Sequence, residues 1–152
     1  MKFLFDLGGV FFDWDPRYFY KNIFNDSKEL DFFLSKVCND EWNSKQDAGR
    51  LIKDAEKILI TKYPKYEKHI RMYYNNHKKM IKSTFQNSIS ILTKLKNIGC
   101  KCYVLSNWSS ETFDDVYKEY TFLKIFDGIL ISGHEKLIKP NPVIFQRAIK
   151  KF

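Results

Sequence analysis

A strand that ends on a carboxylate constrains this chain most. Phe3-Leu4-Phe5 is a continuous apolar run, and it stops at Asp6-Leu7-Gly8-Gly9. Such a run suits a parallel strand buried on both faces, and glycine permits the tight turn that must follow. The same pattern returns late in the chain. Ile89, Leu92, Leu95 and Ile98 fall on one helical face that Gly99 closes, and residues 100–105 read as a strand ending at Ser106-Asn107. Ser109 or Ser110 is placed to cap the next helix, with Glu111 in its first turn. Residues 128–132 read as a third strand. Lys139-Pro140-Asn141-Pro142 then opens a last helix, with Asn141 as cap and Pro142 at its first position. Strand–helix alternation of this kind predicts an α/β fold, a Rossmann-like doubly wound parallel sheet covered on both faces. Ligands of such sheets bind beyond the carboxyl ends of the strands. Asp6 and Ser106-Asn107 sit at two of those ends, and Lys139 lies in the loop after a third.

Between these parts the period changes. Val10–Trp14 is a second apolar stretch, read as a flap hairpin. From Pro16 the pattern is helical, with Phe19/Ile23 and Tyr20/Phe24 as i,i+4 pairs. Asp26 and Glu29 resemble a capping box before Leu30, Phe33, Leu34 and Val37. A polar interruption follows from Asn39 to Gly49. Two more helices are expected, one over Leu51–Leu59 and one over Ile70–Ile81. No strand is expected within 16–82. The division is therefore an α/β core of residues 1–15 and 83–152, with a helical insertion of 16–82.

With 44% hydrophobic and 17% aromatic residues, the chain can bury a sizeable core. No apolar run approaches the roughly 20 residues that span a bilayer, and the first residues are too short an apolar stretch for a signal peptide. A cytoplasmic protein without membrane contact is expected. The net charge is +8, but the lysines are spread rather than clustered, so nucleic-acid binding is not expected. A positive field does suit a small anionic substrate. Cys100 and Cys102 would share one face of a strand, as a metal or redox pair or, the reading preferred, as buried thiols; Cys38 makes no disulfide framework with them. His69, His77 and His134 show no metal-ligand spacing.

Three motifs together resemble the haloacid dehalogenase superfamily: Phe5-Asp6-Leu7-Gly8-Gly9-Val10, then Val104-Leu105-Ser106-Asn107, then Lys139 within Ile138-Lys139-Pro140-Asn141-Pro142. Each is short; their order and strand-end placement carry the likeness, which runs from residue 3 to the end. The resemblance implies a hydrolase, in its phosphatase branch, acting on a small phosphorylated metabolite. Asp6 would attack phosphorus to give an aspartyl-phosphate. Ser106 would hydrogen-bond a phosphoryl oxygen, Lys139 would neutralise its charge, and Asn107 would help hold the arrangement. It implies Mg²⁺ held by Asp6 and the Gly8 carbonyl oxygen. It makes the insertion a cap, with Gln46, Asp47 and Arg50 as substrate-binding candidates in a loop facing the nucleophile. Trp14 and Trp42 are expected either to line the pocket or to pack the domain junction.

Two departures accompany the likeness. Many phosphatases of the superfamily carry an aspartate two residues after the nucleophile as general acid and base; here Gly8 stands there, and water or Asp13 would have to move the proton. The superfamily's fourth, acidic motif is missing too. The core sheet is then left incomplete, β-edge Phe3-Leu4-Phe5 is uncovered, and weak Mg²⁺ binding and little turnover are expected of a truncated chain. The alternatives are a metal-independent 2-haloacid dehalogenase, whose halide cradle would be Arg17 or Arg50, and a non-catalytic fragment.

Overall fold

The computed structural model describes all 152 residues. Along the chain the elements are β1 (Lys2–Phe5), β2 (Phe12–Trp14), α1 (Arg17–Tyr20), α2 (Ser27–Phe32), α3 (Asp40–Asp47), α4 (Ile52–Lys62), α5 (Glu67–Asn75), β3 (Ile81–Thr84), α6 (Gln86–Asn97), β4 (Lys101–Ser106), α7 (Ser110–Glu119), β5 (Gly128–Ile131), α8 (Ser132–Glu135) and α9 (Pro142–Lys151). The fold is α/β. β1, β4 and β5 form one parallel sheet in the order β1-β4-β5. Its apolar cluster joins Leu7, Phe11, Phe12, Leu92, Cys102, Val104, Phe113 and Val116, and α9 closes the other face through Ile144 and Ala148 on Leu105 and Leu130. β1 is an edge strand, with Leu4 47% exposed.

A separate apolar cluster lies within residues 19–80. Tyr20, Phe33, Trp42, Ile70 and Tyr73 are at its centre. Burying a side chain such as Phe33, fully enclosed, contributes about 1.5–3 kcal/mol. The Tyr20 hydroxyl keeps its hydrogen bond by donating to the His69 carbonyl oxygen at 2.7 Å.

Four sequence expectations are corrected. Residues 39–49 are not a loop: α3 fills most of them. Asn39 caps it by accepting from the Trp42 N–H at 2.8 Å, and Asp40 and Glu41 complement its N-terminal dipole. Only Trp42 and Gln46 are buried on it, too sparse a stripe to register as periodicity. The helix expected to reach Ile81 stops at Asn75, and Ile81–Thr84 is a strand. That strand is the partner of β2, which forms no hairpin with its own neighbours. β2 and β3 pair antiparallel with Phe12 opposite Thr84, Asp13 opposite Ser83 and Trp14 opposite Ile81. The expected boundary at 82/83 falls inside this ribbon. The capping box is half made: Asp26 accepts from the Lys28 N–H, but Glu29 turns to Lys65 and the Tyr66 hydroxyl, each at 3.2 Å.

Both helix-cap expectations hold. Ser109 caps α7 and Asn141 caps α9, with Pro142 at the first position. The three cysteines are free, Cys102 fully buried in β4. No helix is long and apolar enough to cross a membrane.

The insertion is tied to the sheet by side chains. Leu51 cannot cap α4 itself, and Glu111 of α7 does so instead, its carboxylate accepting from the Ile52 N–H at 2.7 Å. The Ser132 hydroxyl donates to the Asp47 carbonyl oxygen at 2.6 Å and accepts from the Trp108 N–H at 2.9 Å.

Candidate active site

The sheet brings the three motifs to one point. Phe5 pairs with Val104, so Asp6 at the end of β1 comes beside Leu105-Ser106 at the end of β4. The Ser106 hydroxyl donates to Asp6 Oδ1 at 2.9 Å, and the Leu7 N–H donates to the same oxygen at 2.8 Å. Lys139 Nζ reaches Asp6 Oδ2 at 2.6 Å and donates to the Leu105 carbonyl oxygen at 3.0 Å. Asp6 is thus aimed by three donors while its side chain stays 42% exposed. Lys139 is more enclosed, and so is a fixed positive charge beside a reachable carboxylate.

Asn107 has a structural task. Its side-chain oxygen accepts from the Lys139 N–H at 2.8 Å, and its side-chain nitrogen donates to the Lys139 carbonyl oxygen at 3.1 Å. This two-point clamp fixes the loop that delivers Lys139. The side chain is a positioning group for Lys139. The backbone N–H groups of Gly8 and Asn107 donate to no other group of the chain.

A cavity of about 100 Å³ is lined by Gly8 and Asn107, which lie next to Asp6 and Ser106 in the chain, by Asn43, Asp47 and Tyr74 from the insertion, and by Trp14, His77 and Trp108. Asp47 therefore lines this cavity. Gln46 and Arg50 do not. Gln46 is fully buried, donating to the Trp42 carbonyl oxygen and the Tyr74 hydroxyl at 2.8 Å each, and accepting from Arg50 Nε at 2.8 Å. These two residues are corrected from substrate-binding candidates to the scaffold of the wall. They hold Tyr74, which donates to Asn43 Oδ1 at 2.8 Å, and Asn43 in turn lies 3.5 Å from Asp47. Trp42 packs inside the insertion; Trp14 lines the cavity. The sequence offered no sign of Ser132, Asn43 or His77, which depend on contacts between segments far apart in the chain.

Burial pushes the Asp47 carboxyl up to about 7, only partly opposed by the Ser109 N–H. The folded chain then holds a proton there that the unfolded chain has released, so this group favours folding at low pH. That contribution fades as pH rises from about 4 through 7. Thermal melts from pH 5 to 8 should show the wild type losing stability relative to Asp47→Asn as pH rises; parallel curves would contradict this.

Mg²⁺ can be weighed against the donors present. It takes about six oxygen ligands, largely carboxylate and water. Asp6 and the Gly8 carbonyl oxygen are two candidates, but both Asp6 oxygens already have partners, and nowhere do three His, Cys, Asp or Glu residues gather. The residues of this chain do not complete a Mg²⁺ site.

The family model for haloacid dehalogenase-like hydrolases matches residues 20–152. The chain belongs to the haloacid dehalogenase-like hydrolases. Solved structures agree on the fold. A haloacid dehalogenase family enzyme of Bacteroides thetaiotaomicron, in complex with magnesium and inorganic phosphate, is 21% identical with a TM-score of 0.68, over 99% of this chain and 77% of that one. A family hydrolase of Porphyromonas gingivalis is 18% identical, TM-score 0.67, over 99% and 75%. The L-2-haloacid dehalogenase of Xanthobacter autotrophicus, with chloropropionic acid covalently bound, is 12% identical, TM-score 0.60, over 99% and 64%. No curated protein sequence matches the chain. The family makes this chain a hydrolase fold, and phosphatases and dehalogenases share it.

Proposed function

We propose that this hydrolase acts on a small phosphorylated metabolite, with Asp6 as nucleophile. The observation that carries the reading is the arrangement at Asp6: the Lys139 ammonium and the Ser106 hydroxyl both engage its carboxylate, and the adjoining residues Gly8 and Asn107 keep unengaged N–H groups that could receive a phosphoryl oxygen. Donors held in place before the charge develops are the main source of electrostatic catalysis. Asp6 attacks phosphorus, the bond to the leaving oxygen breaks, and that oxygen takes a proton. Water then attacks the aspartyl-phosphate, loses a proton, and frees phosphate and Asp6. Gly8 cannot supply the first proton. Asp13 accepts a hydrogen bond from the Tyr18 hydroxyl at 2.7 Å and lies outside the cavity wall. Asp47 is the carboxyl that lines the cavity and holds a proton near neutral pH, so we assign it the exchange with the leaving group.

The dehalogenase reading lacks its halide cradle. Arg17 pairs with Asp31 at 2.7 Å and Arg50 is bound to Gln46; neither lines the cavity. The magnesium and phosphate in the Bacteroides structure support the phosphatase reading, and Asp6 and Gly8 are the residues that would meet such an ion. The incomplete donor set supports a further reading, an anion-binding chain with little turnover. One assay separates the three. Phosphate release from a small alkyl phosphate ester is the expected result. Halide release from 2-chloropropionate without metal would replace it with the dehalogenase. Inorganic phosphate binding with neither release would leave the non-catalytic reading.

A further inference from the structure

β1 has one neighbour in the sheet, β4, and its other side is open. The Lys101 N–H donates to the Met1 carbonyl oxygen, and the pairing then runs in register from Lys2–Lys101 to Phe5–Val104. In a parallel ladder alternate residues turn their backbone groups to the same neighbour. Met1, Phe3 and Phe5 therefore serve β4, and the N–H and C=O groups of Lys2 and Leu4 point outward. Such a row is a template for another strand.

The side chains along this edge are apolar. Leu4 pairs with Tyr103, so it lies on the face where the Tyr103 ring stacks on Phe152 at 4.4 Å. On that face α9 sits over β4 and β5, through Ile144 and Ala148 on Leu105 and Leu130. Arg147 of α9 is turned to Glu135 of α8, the helix that follows β5. At 3.6 residues per turn, Phe145 and Ile149 lie about 200° round the helix from Arg147, on the flank towards β1. They are 39% and 78% exposed. Lys2 Nζ donates to the Phe152 carbonyl oxygen at 2.6 Å, so the end of α9 does lie beside β1. Leu4, Phe145 and Ile149 thus leave apolar surface open along the sheet edge, the kind of surface that marks an association site.

We infer that the occupant of this edge is a second copy of the chain, joined through antiparallel pairing of the two β1 strands about a two-fold axis at Leu4. The sequence of the edge selects that partner. With Leu4 opposite its own copy, Phe3 falls opposite Phe5, and Lys2 of one copy falls opposite Asp6 of the other. The edge is thus self-complementary, apolar at its centre and oppositely charged at its ends, as a two-fold contact requires. Register and direction are set by the same residues. A shift of two residues either way would put Leu4 against Lys2 or against Asp6, and a parallel pairing would put like charges together. The axis stands perpendicular to the sheet, so both α9 helices remain on one face, with their Phe145–Ile149 flanks turned to each other over the Leu4 pair. Asp6 is half exposed and open to this approach. The contact goes beyond the phosphatase reading and stands or falls without it.

Light scattering of the purified chain over a range of concentrations should show a monomer–dimer equilibrium. Leu4→Lys sets two like charges on the axis and should abolish the dimer. Lys2→Glu sets a carboxylate against Asp6 twice in each dimer and should weaken it roughly tenfold. Leu4→Cys should form a disulfide-linked dimer under mild oxidation, because directly opposed residues of a hydrogen-bonded antiparallel pair lie about 5.5 Å apart, within the span of a disulfide. The wild type is its control and should form none, with Cys38 and Cys102 buried. Leu4 and Lys2 are exposed, so these variants should fold, and circular dichroism checks it; if Leu4→Lys fails to fold, the other two still decide. A monomer at every concentration overturns the inference and leaves the edge to a strand of some other protein. A dimer that survives Leu4→Lys, or one whose Leu4→Cys variant does not cross-link, overturns it too by placing the contact elsewhere.

Discussion

Asp6→Asn is expected to lower phosphoester turnover by at least about a thousandfold while leaving the fold standing. Asparagine keeps the shape of the side chain. Its oxygen can still accept from the Ser106 hydroxyl and the Leu7 N–H, so the strand end stays in place. Its nitrogen, however, is a poor nucleophile and would face Lys139 Nζ where a carboxylate oxygen now lies at 2.6 Å. Two donors would then oppose each other, and Lys139 would retain only the Leu105 carbonyl oxygen. Because the Asp6 side chain is 42% exposed, water screens the lost pair, and the stability change should be within about 1 kcal/mol. The two measurements therefore part company: kcat collapses while Tm moves by a few degrees. A variant that keeps more than a tenth of the wild-type rate would remove Asp6 from the mechanism. A variant that loses both rate and fold would show the pair to be structural first.

The same cluster shows what a sequence can carry. Phe3-Leu4-Phe5, residues 101–106 and residues 128–131 are apolar runs too short for helices, and each ends at or next to a polar residue, although β1 itself is half exposed at the edge of the sheet. Asp6, Ser106 and Lys139 could be placed together on that ground, and they meet within 3 Å. The insertion is harder to read. α3 buries one wall of two residues and is otherwise held by its cap, so hydropathy is nearly silent about it. β3 is four residues long, and its partner lies near the chain's beginning, so nothing local marks it. Gln46 and Arg50 were drawn to the site by polarity. A polar side chain in an apolar block can equally serve another polar side chain, and here both serve Tyr74 and Trp42. The cavity wall itself is assembled from four separate stretches, so it is visible only once the chain is folded.

Gly133→Ala should be the most damaging change of a single methyl group. A Cβ at 133 would lie 2.4 Å from the Ser110 nitrogen, 2.8 Å from the Trp108 oxygen and 3.2 Å from the Ser109 carbonyl carbon. All three are backbone atoms, so no side chain can turn aside. That backbone is the segment joining β4 to α7. It carries Asn107 at one end and the cap of α7 at the other, and the Gly133 N–H itself donates to the Trp108 carbonyl oxygen at 3.1 Å. Overpacking of this kind destabilises by about 3 kcal/mol at the upper end of its usual range, which lowers Tm by roughly 6–12 °C in a chain of this size. Activity should fall further than stability explains, because any shift of Trp108 loosens the clamp that Asn107 holds on Lys139. Gly8→Ala supplies the comparison for stability, since a Cβ there meets nothing within 4 Å. Melting curves of the two variants decide the point: equal Tm values would mean that the loop yields freely, and that the closeness of α8 to the active-site backbone is not what keeps Lys139 in place.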